Sequence, residues 1–292
     1  MNQATPEYLT TQELAELLRI KERKVYELVS SNRIPCTRAT GKLLFSRRDI
    51  DVWLNGKREG QVSGGSRPEV LLGSHDPLLD WAIRESGCGL ASNFNGSLDG
   101  VERFAAGQGM AAGIHLYDVE HDDWNIAEVR RRFDGRDVVL AEFCWRERGL
   151  VLGQRLSGKV SKIEDLAGCS IVPRQASAGS QILLLTILQQ HGMSAQDIEF
   201  APVAHTETDA VTCVLDGSAD ATLGLRAEAS RFNLEFVPLL RERFDLLVDR
   251  RSWFEPAFQI FLSYCRSNAF GERAASFRGY DISCLGTVHF NG

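Results

Sequence analysis

The chain has 292 residues, of which 43% are apolar and 25% charged, a composition that excludes disordered and fibrous classes and allows two or three packed domains. Its net charge of −6 is uneven: residues 1–60 hold 11 Lys and Arg against 8 Asp and Glu, a balance of +3 that leaves −9 for the rest. The acidic body would repel DNA, so any DNA contact belongs to the front end. No basic leader with an apolar run opens the sequence, and no stretch approaches the roughly 18 apolar residues of a membrane span. A soluble cytoplasmic protein without a membrane partner is therefore expected.

In chain order, Thr10-Thr11-Gln12-Glu13 forms a capping box ahead of a helix whose apolar positions are Leu14, Leu17 and Leu18 and which ends near Ile20. A second helix, "KERKVYELVSSNRI", turns Val25, Leu28 and Val29 inward and leaves Lys21, Arg23, Lys24 and Glu27 outward, which together with the tight turn makes a helix-turn-helix. Next, "IPCTRATGKLLFS" predicts a hairpin, or wing, around Thr40-Gly41. Ser46 and Asp49 then cap a third helix that returns Ile50, Trp53 and Leu54 to the core. A recognition helix must read base edges while neighbouring elements grip phosphates. Lys21, Arg23, Lys24 and Tyr26 are the candidates for the first role, and Arg38, Lys42, Arg47 and Arg48 for the second.

The stretch "NGKREGQVSGGSRPEV", Asn55 to Val70, has linker composition. It predicts a DNA-binding domain over 1–56, a linker over 57–69 and an effector domain over 70–292. In the body, "EVLLGSHD", "GLASNF", "MAAGIHLYD", "DVVLAEF", "SIVPRQ", "IEFAPVA" and "ATLGL" read as strands. "PLLDWAIRES", "SLDGVERFAAG", "KIEDLAG", "SQILLLTILQQHG", "TDAVTCVLDGSAD" and "RAEASRF" read as helices between them. Such alternation predicts an α/β fold, a parallel sheet with helices on both faces.

Hydroxyl residues recur where these strands feed helices: Ser74, Ser97, Ser177 with Ser180, and Thr206 with Thr208. Each such junction offers free backbone N–H groups and the positive end of a helix dipole, so several converging would bind an anion, although any one of them also serves as an ordinary helix cap. Arg174 or Arg226 would instead clamp a carboxylate, or stand in an ion pair. His115 ends a strand, either touching ligand or buried and satisfied. In "HLYDVEHDDW", His115, Asp118, Glu120, His121, Asp122 and Asp123 are metal-ligand types, but their irregular spacing argues against a metal site. The seven cysteines (Cys36, Cys88, Cys144, Cys169, Cys213, Cys265 and Cys284) are odd in number and scattered, as buried free thiols would be. A hydrolase would need Ser97 or Ser180 with His75, His115 or His205 and an acid; the sequence holds no nucleophile elbow, phosphate loop or zinc helix, so no enzyme and no cofactor are expected.

"YLTTQELAELLRIKERKVYELVSSNRIPCTRATGKLLFSRRDIDVWL", Tyr8 to Leu54, resembles the excisionase-type winged helix-turn-helix domains related to the mercury-resistance regulators. Lys21 departs from that pattern, since a good cap such as Ser is usual there. "GSHDPLLD", "GSLDGVERFAAGQGMAAGIHLYD", "RQASAGSQILL" and "ADATLGLRAEA" resemble the type II periplasmic-binding-protein-like domain, in the version that follows a DNA-binding domain in some bacterial regulators. That resemblance implies two α/β lobes, one of about 70–148 plus 247–292 and one of about 149–246, with "FCWRERGLVLG" and "RERFDLLVDR" as hinges. It also implies a ligand in the cleft, leaning to a tetrahedral oxyanion such as molybdate or tungstate. A regulator that binds double-stranded DNA as a homodimer or higher homo-oligomer is the function these resemblances imply; the alternatives are a sensor of a small organic acid or metabolite, or an intracellular ligand-binding module whose N-terminal domain docks protein instead of DNA.

Overall fold

Thr10 sets the first helix. Its Oγ1 accepts from the Glu13 N–H (3.3 Å) while the Glu13 carboxylate accepts from the Thr10 N–H (2.8 Å), closing the expected capping box. The computed structural model describes residues 8–31, 34–39, 41–47, 49–50, 53 and 66–292. The chain divides into two units, Met1–Gly65 and Ser66–Gly292.

In the first unit, β1 (Tyr8–Leu9) precedes α1 (Thr11–Leu18), α2 (Glu22–Ser30) and the hairpin of β2 (Thr37–Ala39) and β3 (Lys42–Ser46). The sheet order is β1-β3-β2, antiparallel throughout, and Gly41 supplies the left-handed turn residue of the wing at φ +80°. Leu14, Val25, Ile34, Phe45 and Ile50 are buried together, with Leu28, Val29 and Trp53 packed on them. Leu17, expected inward, is 41% exposed, because Ala15 takes the inward place and turns the buried stripe away from it. Lys21 stands at the N-cap of α2 without a side-chain cap bond. Ser46 Oγ accepts from the Asp49 N–H at 3.4 Å, as the third-helix cap requires, whereas Leu54 lies outside the described residues.

The second unit is built on two strands of 15 residues, β9 (Val138–Leu152) and β13 (Glu235–Asp249), which pair antiparallel along almost their whole length. Their outer ends belong to different lobes. In lobe one, β4 (Val70–Gly73) pairs parallel with β5 (Ala91–Phe94) and β6 (Ala111–Ile114), β6 pairs with Asp245 to Val248 of β13, and β7 (Tyr117–Asp118) and β8 (Asp123–Trp124) form a separate antiparallel pair. In lobe two, β10 (Ser170–Val172) pairs parallel with β11 (Glu199–Phe200) and β12 (Ala221–Leu225), and β12 pairs with Arg148 to Leu152 of β9. The sheet is therefore parallel within each lobe, as the alternation predicts, and mixed as a whole, since the two long strands run against their neighbours on both sides.

Helices cover each lobe: α3 (Pro77–Ser86), α4 (Ser97–Ala105) and α5 (Ile126–Phe133) in lobe one, α6 (Gly179–Gln190), α7 (Glu207–Leu215) and α8 (Arg226–Arg231) in lobe two. After β13 the chain returns to lobe one as α9 (Pro256–Cys265) and α10 (Asn268–Ser276), then β14 (Tyr280–Asp281) and β15 (Val288–Asn291), both paired with β9. "KIEDLAG", expected to be helical, makes only a short 3-10 turn at Ile163–Leu166. Aromatic packing of Phe143, Phe244, Phe258, Phe261 and Phe270 fills lobe one, and Leu183, Leu184, Ile187 and Leu223 fill lobe two. All seven cysteines are free; Cys36 and Cys284 are exposed, against the expectation of burial. Among the described residues no helix is long and apolar enough to cross a membrane.

Where the strands change lobes the ladder is irregular, with register shifts between Pro238 and Leu240 and between Phe244 and Asp245. Gly149 lies beside the first shift, and a Cβ there would stand 2.1 Å from the Val237 carbonyl oxygen. Gly149→Ala should therefore lower stability by about 1–3 kcal/mol through overpacking. Urea denaturation checks this, and an unchanged midpoint would contradict the close approach.

Candidate functional site

The register of the two long strands decides what is buried between the lobes. Side chains alternate along a strand, so Arg146 and Arg148 of β9 share one face while Glu147 takes the other. Pairing sets Glu242 opposite Arg146 and Arg241 opposite Glu147. On the inner face Glu242 Oε1 accepts from Arg146 Nε (2.5 Å) and from Arg148 Nε (3.0 Å) and Nη2 (2.6 Å). The chain of charges extends both ways. Arg146 Nη1 donates to Asp76 Oδ2 (2.5 Å), which also accepts from the Tyr280 hydroxyl (2.5 Å). Arg148 Nη1 donates to both oxygens of Glu207 (3.1 and 3.0 Å), and Arg174 Nη1 lies 3.0 Å from Glu207 Oε1. Arg146, Arg148 and Arg174 thus face Asp76, Glu242 and Glu207, all buried, so the network is balanced.

Burial by itself would raise the Glu207 carboxyl, but Arg148 and Arg174 outweigh it and hold the group down at about 2. Glu242 is likewise held well below the carboxylate range, with Arg146, Arg148 and His115 overcoming its burial. His115 Nδ1 lies 3.1 Å from Glu242 Oε2, and its ring stacks on Phe244 at 5.7 Å. Burial pushes its pKa down despite that carboxylate.

At the next level the two lobes touch. The Leu98 N–H at the start of α4 donates to the Ser177 carbonyl (3.0 Å), and Ser177 Oγ donates to the Asn95 carbonyl (2.7 Å). Glycines allow this contact: a Cβ on Gly96 would stand 2.6 Å from Ser177 O, and one on Gly179 2.4 Å from His115 O. Ser97 Oγ accepts from the His115 N–H (3.1 Å) and lies 2.8 Å from Ser74 Oγ. Neither α4 nor α6 has a side-chain cap, and Ser180 Oγ in the first turn of α6 is buried without a hydrogen-bond partner among the described residues.

The structure therefore brings Ser74, Ser97, His115, Ser177 and Ser180 to one inter-lobe region. Arg174 is buried nearby, donating from Nε and Nη2 to the carbonyls of Ala204 and His205. Other candidates stand elsewhere. Thr206 caps α7, accepting from the Asp209 N–H (3.0 Å), and Thr208 donates to Glu228 (2.7 Å). Arg226 pairs with Glu147 on the opposite face of β9 and is partly exposed. Asp76, Arg146, Arg148, Glu207 and Glu242 carry the network without having been singled out from the sequence. The ligand atoms of Asp118, Glu120 and His121 lie within 4.8 Å of one another on the surface, while Asp122 accepts from Tyr117, Asp123 pairs with Arg243 and His115 is buried away from them.

In the first unit Lys21, Arg23, Lys24 and Tyr26 are exposed on or beside α2, with Lys24 2.5 Å from Glu27. Arg38 and Lys42 are exposed on the wing and Arg47 is half-buried, whereas Arg48 lies outside the described residues.

Residues 81–266 match the model of the PBP superfamily domain, and residues 8–58 that of a helix-turn-helix domain. The chain is 23% identical over 302 residues to the uncharacterized protein YvgK of Bacillus subtilis (strain 168), covering 96% of each. Similar solved structures include the effector-binding domain of QuiR in complex with shikimate, 13% identical over 70% of this chain and 95% of that one, at a TM-score of 0.47. Full-length CbnR complexed with its target DNA is 12% identical over 88% and 93%, at a TM-score of 0.43.

Removing one partner of a buried ion network strands the others. Glu242→Gln should cost about 3–5 kcal/mol by leaving Arg146 and Arg148 undercompensated, and a cost below about 1 kcal/mol would contradict their mutual burial. The pH dependence follows from Glu207, whose ordinary value of 4.5 falls to about 2 on folding. Its contribution is fully present above 4.5 and is lost as pH falls toward 2. Thermal melts should show a loss of stability across that window that is shallower in Glu207→Gln; equal slopes would refute the assignment.

Proposed function

Because the chain belongs to the PBP superfamily and carries a helix-turn-helix domain ahead of it, we propose that it is a ligand-responsive transcription regulator. The first domain, 1–56, binds double-stranded DNA through the exposed Lys21, Arg23, Lys24 and Tyr26, with Arg38, Lys42, Arg47 and Arg48 on phosphates. The effector domain, 70–292, binds a small anion between its lobes, assigned as 70–148 with 247–292 and as 149–246. Closure of the lobes on the effector alters how the DNA-binding domains of a homodimer or higher oligomer meet two half-sites. The effector must bind the open and closed arrangements with different affinity to act as a signal. A DNA partner places the protein in the cytoplasm.

One observation carries the effector reading: the 12-residue α6, without a side-chain N-cap, begins at the lobe contact with the Ser180 hydroxyl buried and, among the described residues, without a hydrogen-bond partner. Free N–H groups, a helix dipole and neutral hydroxyls from Ser180, Ser97, Ser74 and Ser177 suit a tetrahedral oxyanion, and molybdate or tungstate is the effector proposed. A second reading has its own support. Arg148 and Arg174 already hold the Glu207 carboxylate, so a small organic acid competing for those guanidiniums is the alternative effector.

Thermal unfolding with molybdate, tungstate, sulfate, phosphate and small organic acids separates them. An oxyanion at about 100 times its dissociation constant should add roughly 2.7 kcal/mol, and the gain should vanish in Ser180→Ala. A shift from organic acids alone would transfer the effector to Arg148 and Arg174. On the DNA side, Arg23→Ala with Lys24→Ala should weaken operator binding by about 1–3 kcal/mol per lost base contact and relax its sequence preference while leaving effector affinity intact. Undiminished DNA affinity would contradict the role given to α2.

A further inference from the structure

The helix α9, "PAFQIFLSYC", holds no charged residue. Its inner stripe of Ala257, Phe258, Phe261, Leu262 and Cys265 is buried in lobe one. The outer stripe, at helical spacing, is Pro256, Gln259, Ile260 and Ser263, all exposed. Ile260 is 46% exposed, and Phe254, in the 3-10 turn Ser252–Phe254 that leads into the helix, is 74% exposed, more than any other large apolar side chain among the described residues. Gln259 Nε2 turns back to donate to the Trp253 carbonyl (2.6 Å), which leaves Ile260 at the centre of the face. The outward side of a solvated helix ordinarily carries charge. Here charge stands only at the two ends, Glu255 at the N-cap and Arg266 at the C-cap, and neither has an ion-pair partner among the described residues.

We infer that the outer face of α9 docks against the same face of a second copy of this chain, the two helices running antiparallel about a two-fold axis at Ile260. Charge selects both the partner and the direction. Two copies of a chain with a net charge of −6 repel one another over most of their surface, and least where a face carries no charge. Glu255 and Arg266 are 11 positions apart, close to three turns of about 3.6 residues, so they lie on one flank of the helix with Ile260 midway between them. A two-fold rotation that reverses the helix therefore brings each Glu255 to Arg266 of the other copy, sets Ile260 against Ile260 and opposes the helix dipoles. A parallel arrangement would instead set Glu255 against Glu255 and Arg266 against Arg266. One helix pair buries less than the roughly 1,200–2,000 Å² of a stable interface, so the dimer assembles in the micromolar range. The inference names an interface for the homodimer of the regulator proposed above, and it rests on that reading only for what the dimer does on DNA.

Sedimentation equilibrium of the full chain without DNA tests it. The chain should dimerise, and Ile260→Asp, which sets two carboxylates together at the axis, should weaken the dimer by at least about tenfold. Glu255→Arg and Arg266→Glu each bring like charges together at both ends of the helix pair, and each alone should weaken it by about tenfold. An equimolar mixture of those two variants joins opposite charges again at every contact, so it should dimerise as tightly as the unaltered chain. Rescue by mixing separates a lost contact from a variant that folds poorly. A chain monomeric up to about 100 µM, a dimer indifferent to Ile260→Asp, or a mixture no tighter than its components would overturn the assignment. A dimer indifferent to all three variants would overturn it while leaving the homodimer of the regulator to another surface. Conversely, rescue by mixing together with undiminished DNA affinity in Arg23→Ala with Lys24→Ala would uphold the α9 interface and remove the regulator reading.

Discussion

The Glu242 carboxylate, shared by Arg146 and Arg148 where the two long strands cross, is the interaction on which the rest of the effector domain depends. Charges buried this deeply are tolerated only when every partner is in place, so they act less as a source of stability than as a demand for one arrangement. The demand fixes the register. With Glu242 opposite Arg146 and Arg241 opposite Glu147, each arginine meets a carboxylate across the strands. A slip of one residue would set Arg241 against Arg146 or Arg148 and carry the inner face to the outside. The same pairing sorts the two faces: Arg146 and Arg148 go inward to Asp76, Glu242 and Glu207, whereas Glu147 and Arg241 find Arg226 and Asp281 on the outside.

From this crossing the site is assembled outward. Asp76 caps α3 of lobe one through the Leu79 N–H (2.8 Å) while gripping Arg146, and Glu207 opens α7 of lobe two while gripping Arg148 and Arg174. One set of ion pairs therefore anchors the first turns of helices in both lobes. That places the start of α6 against the start of α4, where Gly96 and Gly179 let backbone meet backbone. Under the proposed function, an effector reaching the Ser180 hydroxyl, which has no hydrogen-bond partner among the described residues, would act on a contact already held by the buried charges, and a few kcal/mol of differential affinity would be enough to shift such an equilibrium.

Local signals in the sequence carried the local structure. The Thr10–Glu13 box, the Ser46 cap, the wing turn at Gly41 and the strand-to-helix junctions at Ser74, Ser97 and Ser180 were each readable because their physics spans a few residues. The charge network was not, since its partners are far apart in sequence: Arg148 and Glu242 are 94 residues apart. Charges within a strand read as solvent-facing when each strand is taken alone. The signal that could have exposed them is the repeated Arg-Glu-Arg at 146–148 and 241–243, which pairs arginine with glutamate when the strands run antiparallel. The parallel pairing read from strand and helix alternation holds within each lobe, whereas the antiparallel pairing of the two long strands that pass between lobes lies outside what alternation can tell. Thr206 and Arg226 show the limit of residue type as evidence: one is a cap and the other an outer ion pair.

The most direct test of the claim that the crossing network holds the lobes in contact is the hydrogen exchange of one amide. Leu98 donates its N–H across the lobes to Ser177 and, in the first turn of α4, has no partner within its own helix. The Val101 amide lies one turn further in and reports on α4 itself. If Glu242 governs the contact, Glu242→Gln should speed exchange at Leu98 by about tenfold more than at Val101. Equal acceleration at the two amides would show that the variant only lowers overall stability, and would contradict the account.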